Sequence, residues 1–118
     1  MAEVLRSESD TDHRYRITRT DRGFLLSSSQ KSEMGLMIGP AEWLYKTREA
    51  AEKGLDLIML MNAWWITIIR GYPAGNLPER CEAAAKEHER VVKELGDEPL
   101  VGAEVRELRL RDNRDEAC

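Results

Sequence analysis

His13, His88 and Cys81 are the first side chains of this sequence to weigh as base, nucleophile or metal ligand. The two histidines lie far apart in the chain. Cys81 and His88 are seven residues apart, which on a helix gives a shared face but an axial separation of about 10 Å. That is too long for a thiolate–imidazole pair or for two ligands of one metal. A hydrogen-bonded histidine at the edge of a core is the expectation for His88, and no catalytic residue and no metal ligand is assigned. The carboxylates between Glu79 and Glu98 are interleaved with Arg80, Lys86, Arg90 and Lys93, the pattern of a solvated helix face. No phosphate-binding glycine loop and no calcium-loop spacing occurs. No cofactor is implied.

The arginines form a sharper pattern. Arg14, Arg16, Arg19 and Arg22 fall within one short segment, and Arg109 and Arg111 alternate with Leu108 and Leu110 near the end of the chain. If both segments are neighbouring strands, Arg14 and Arg16 share an exposed sheet face with Arg109 and Arg111. Such a face would contact anions, a nucleic-acid backbone or an acidic protein surface. Tyr15 is expected to point inward and few other aromatic residues are available to stack on bases, so the pattern of a single-strand-binding sheet is incomplete.

These side chains need a scaffold, and its centre is Leu55–Ile69, LDLIMLMNAWWITII. Asp56 is its only charge, and Asn62 and Thr67 are its other polar side chains. The run falls short of the ~20 apolar residues that span a bilayer. Trp43, Thr47, Ala50, Gly54, Ile58, Met61, Trp65 and Ile68 recur every three or four residues, as on the inner face of a helix beginning near Pro40. Gly54 costs ~1 kcal/mol relative to Ala inside a helix, so two helices or a kinked one are favoured over a single helix from 40 to 70. Trp64 and Trp65 point about 100° apart and cannot both face one small core. Trp64, Trp65 and Met59 are therefore the residues expected to meet a partner protein, with a second copy of the chain as the first candidate.

Around that run the sequence is charge-rich: 34% of its 118 residues are charged and the net charge is −4. A chain of this length builds one modest core. Residues 1–12 are acidic, polar and without a signal-peptide core, and read as a disordered lead-in. Residues 13–111 read as one α+β domain and residues 112–118 as a flexible tail. Alternation at 14–29 around Asp21-Arg22-Gly23 predicts a β-hairpin with a bulged three-residue loop. Met34–Ile38 fits a short third strand. Asn76 with Glu79 reads as a capping box that opens a helix ending at Gly96. Residues 104–111 fit a strand, although Val101, Val105 and Leu108 also fit a helical face. The expected fold is a small antiparallel sheet, from the N-terminal hairpin and a C-terminal strand, packed on two or three helices. Two free thiols and no leader suggest a reducing, cytoplasmic setting.

These features favour a non-enzymatic protein-interaction module, a small stand-alone regulator or inhibitor that works by occupying a partner's surface, as a homodimer. A phage-borne inhibitor of a bacterial defence system, of the anti-CRISPR kind, is one concrete form. Nucleic-acid contact through the arginine hairpin is the alternative, and a small enzyme with a site between subunits is the second. No membrane partner is expected.

Overall fold

A computed structural model describes residues 2–32 and 34–117, the last six of them as backbone. The fold is α+β: five antiparallel strands, β1 (Glu3–Ser9), β2 (His13–Thr20), β3 (Gly23–Lys31), β4 (Met37–Tyr45) and β5 (Leu100–Val101), and three helices, α1 (Arg48–Arg70), α2 (Leu77–Leu95) and α3 (Ala103–Ala117). The strands lie in sequence order, β1-β2-β3-β4-β5. The chain divides into two compact units. One holds the residues up to Lys46 and those from Pro99 onward, and the other is Thr47–Glu98. No described helix is long and apolar enough to cross a membrane.

In the sheet unit, the predicted hairpin is β2–β3. Thr20 pairs with Gly23, so the loop is the two residues Asp21-Arg22 rather than a bulged three. Gly23 adopts φ 138°, and a Cβ there would overlap the carbonyl oxygen of Tyr45 on β4. Glycine is therefore required by close backbone approach as well as by conformation. Alternation along β2 buries His13, Tyr15 and Ile17 and exposes Arg14 and Arg16. Tyr15, Ile17, Leu26 and Tyr45 are almost wholly buried on one side of the sheet.

Residues 3–9, expected to be disordered, form β1 against β2. The segment is too polar to bury much surface, and its order comes from the backbone ladder on the edge of β2. The turn into β2 is held by Asp10, whose Oδ1 accepts the backbone N–H groups of Asp12 at 2.8 Å and His13 at 2.6 Å.

Pro40 does not begin a helix. It lies inside β4, where the register against β3 shifts between Ser28 and Gln30. A residue without an N–H is tolerated at such an irregularity. Beyond it Trp43 and Tyr45 pair with Leu26 and Phe24, so aromatic strand propensity and cross-strand partners prevail over the helical spacing. Residues 104–111 are helix, not strand, and the C-terminal strand is reduced to Leu100–Val101, paired with Leu44 and Trp43. Ala, Glu, Arg and Leu in this segment are strong helix formers. The helix buries Val105 and half-buries Leu108 while leaving Leu110 exposed. The expected loose tail is likewise helical through Ala117, and Cys118 lies outside the described residues.

The second unit is an antiparallel helical hairpin. α1 is one uninterrupted helix that includes a buried Gly54, so the glycine neither ends nor divides it. Thr47 caps its N-terminus, accepting the Ala50 N–H at 3.3 Å, and Gly71 in the left-handed conformation closes its C-terminus. α2 matches its predicted bounds and ends at left-handed Gly96. Its outer face carries the expected pairs Lys86–Glu82 at 3.1 Å and Lys93–Glu89 at 2.9 Å. The predicted capping box is not made. Asn76 forms no side-chain capping bond, and Pro78 occupies the first turn.

Asp97, fully buried, joins the two ends of this unit. Its Oδ2 accepts both the backbone N–H of Thr47 at 2.8 Å and the Thr47 hydroxyl at 2.7 Å. The Thr47 oxygen thereby caps α1 while its proton is held by the carboxylate.

Two stability predictions follow from these contacts. Gly23→Ala is expected to lower unfolding free energy by roughly 2 kcal/mol or more, measured by urea denaturation. Asp97→Ala, which removes the buried acceptor of both Thr47 bonds, is expected to cost roughly 2–3 kcal/mol in the same measurement.

Candidate functional site

The α1 face read as a continuous core stripe changes character along its length. Ala50 and Gly54 are buried and Ile58 is half-buried, as expected. Met61, Trp65 and Ile68, further along the same face, are exposed at 52%, 54% and 57%. Ile69 and Tyr72 beside them are also exposed. Trp43, the proposed start of the stripe, is on β4 and belongs to no helix. The chain thus covers the first turns of this helix face and leaves the last turns bare.

Of the three predicted partner residues, Trp65 lies in the bare stripe, whereas Trp64 and Met59 are half-buried on other sides of α1. Met61 and Ile68, expected on the inner face, are exposed instead, and Ile69 and Tyr72 join them. Periodicity shows which residues share a face but not how far along the helix the cover extends.

The arginines separate. Arg14 and Arg16 are exposed on one face of β2, in register with Ser29 and Ser27 of β3 and with Ser9 and Ser7 of β1. Arg19 belongs to the opposite face by alternation. There its guanidinium lies 5.6 Å from the Phe24 ring and 3.6 Å from Glu3. Arg22 occupies the β2–β3 loop. Arg109 and Arg111 are on α3, not on a strand, and so do not extend a basic sheet face. Arg109 is bound to Glu42 of β4, and Arg111 is 3.6 Å from Glu107 one helical turn away. Helix α3 lies over the apolar end of the Arg14 face, where Leu25, Leu44, Val105 and Leu108 line a hollow of about 260 Å³.

His13 is 4% exposed and stacks on Tyr15, with ring centroids 5.8 Å apart and planes 19° apart. Its Nδ1 lies 3.3 Å from the Asp10 carboxylate but out of line for a hydrogen bond. This histidine is packed into the β1–β2 turn. Cys81 is a buried free thiol on α2. His88, on the same helix, is half-buried near the end of the hairpin that carries Asp97 and Glu98. Among the described residues no group of three or more histidine, cysteine, aspartate or glutamate side chains could hold a metal ion.

No protein-family model, curated protein or solved structure matches this chain. The functional reading therefore rests on its own geometry.

Burial pushes the His88 pKa down from 6.5, and the negative charges of Glu98 and Asp97 oppose the shift without cancelling it. A lowered imidazole pKa means that the unfolded chain takes up this proton first on acidification. The contribution to stability is complete above 6.5 and is lost as pH falls through the lowered value. An NMR titration of His88 is expected to give a midpoint below 6.5. Thermal stability is expected to decline from pH 7.5 toward about 5, with a shallower slope in His88→Gln.

Proposed function

We propose that this chain is a non-enzymatic protein-interaction module, a small regulator or inhibitor that acts by covering a surface of another protein. The observation that carries this reading is the bare stripe Met61–Trp65–Ile68, widened by Ile69 and Tyr72. Contiguous apolar surface on a water-facing helix is costly to leave uncovered, and large patches of this kind mark interaction sites. Tryptophan, tyrosine and methionine are the side chains enriched at interface centres.

A second copy of the chain is the occupant that the stripe's chemistry favours. No charged residue lies between Asp56 and Arg70, so two stripes meeting about a two-fold axis place no like charges together. An oppositely charged partner would find no complement there. In an antiparallel arrangement, Trp65 lies near the axis and Met61 faces the Ile68–Ile69 end of the other copy. The homodimer would then present two sheet units to a target protein.

Size-exclusion chromatography with light scattering tests this reading. The native chain is expected to run as a dimer near 100 µM, and Trp65→Glu as a monomer with an unchanged circular-dichroism spectrum. A native monomer at that concentration, with no partner that Trp65→Glu fails to retain, would overturn it.

A further inference from the structure

The sheet face that carries Arg14 and Arg16 is covered by α3 at its apolar end and open at its polar end. The open part is a groove of about 480 Å³, with Ser7 and Ser9 on one side of the arginines and Ser27 and Ser29 on the other. Among the described residues neither arginine takes part in an ion pair. Of the carboxylates around them, Glu42, at the end of the Ser7–Arg16–Ser27 row, is bound by Arg109, and Glu8, which lines the groove, lies 3.4 Å from Arg6, while Asp10 and Asp12 line an adjoining hollow beside Arg14. Two cations about 7 Å apart along one strand therefore stand between rows of hydroxyl groups, neither held in an ion pair among the described residues.

We propose that this groove binds the phosphate group of a small phosphate monoester. Guanidinium groups bind phosphate oxygens through paired hydrogen bonds, and two of them match the double negative charge of a monoester at neutral pH. The serine hydroxyls supply further donors to the phosphate and to a polar remainder of the molecule. The volume lies within the range of small-molecule sites and exceeds that of a bare ion.

Nucleic acid fits less well. Phe24, Trp43 and Tyr45 belong to the opposite face of the sheet, and Tyr15, which borders the groove, is almost wholly buried, so the groove offers no aromatic platform for bases. Two available cations in a chain of net charge −4 are also few for a polyanion. The proposal uses the sheet unit alone and does not depend on the α1 stripe.

Isothermal titration of the full chain with glycerol phosphate in about 50 mM salt provides the test, with inorganic phosphate and a short DNA duplex as parallel probes. Saturable one-to-one binding of glycerol phosphate is expected. It should weaken at least about tenfold in Arg16→Gln, disappear in Arg14→Gln with Arg16→Gln, and weaken severalfold in Ser27→Ala. These positions are exposed or half-exposed, and circular dichroism should show the fold unchanged. Trp65→Glu should bind the ester as the native chain does, which separates this result from any failure of the dimer. No binding of the ester up to about 20 mM, binding undiminished in the double variant, or binding of inorganic phosphate or DNA alone would each overturn the proposal.

Discussion

The buried Asp97 carboxylate is the contact on which the helical unit depends. It meets Thr47 across 50 residues of sequence, at the two points where the chain enters and leaves the hairpin. One oxygen accepts two bonds, from a backbone N–H and a hydroxyl, and the same hydroxyl oxygen accepts the Ala50 N–H at the start of α1. Helix capping and closure of the hairpin are therefore one arrangement. A polar side chain placed in the interior is tolerated when it is met by well-aligned donors, and strong geometric constraint is the result. Surface pairs such as Arg90 with Glu87 and Glu94 decorate α2 without that leverage, because exposed ion pairs contribute little.

With the hairpin closed in this way, α1 can run unbroken from Arg48 to Arg70. One face of it is buried at Ala50 and Gly54 and exposed at Met61, Trp65 and Ile68. The sheet shows a comparable division on the face bearing Arg14 and Arg16, half of which is sealed by Val105 and Leu108 of α3 while the other half stays open and polar. Arg109, bound to Glu42, sits at the boundary. It ties the helix that covers the apolar half to Glu42, at the end of the Arg16–Ser27 row.

The sequence made the α+β class, the β2–β3 hairpin and α2 readable because each rests on a local signal: alternation beside a turn, or a period of 3.6 ended by Gly96. Local pattern and structure part where a second element supplies the deciding energy. β1 is too polar to announce itself and is ordered by the edge of β2. Trp43 fits a helical period with Ala50 and Gly54, yet its cross-strand pairing with Leu26 places it in β4. Leu108 and Leu110 alternate as strand residues do, but only Leu108 turns inward on α3. Trp65 was recognisable as surplus to a core. That Met61 and Ile68 are exposed with it depends on where the cover of α1 stops, which no local pattern encodes. The pairing of Arg14 and Arg16 on one face followed from alternation alone, whereas their serine neighbours required the register.

The outer edge of β4 has a consequence for the way other molecules can meet this fold. β5 pairs only with Trp43 and Leu44, leaving the stretch from Met37 to Ala41 without a described strand beside it. Pro40 offers no N–H there, and the register shift opposite Ser29 breaks the regular spacing of donors and acceptors. At the other end of the sheet, β1 carries its own irregularity between Val4 and Arg6. An extended peptide seeking to lengthen the sheet by backbone pairing would meet an interrupted template on either side. Main-chain addition is thus disfavoured at both edges of the sheet, and any contact made there would fall to side chains.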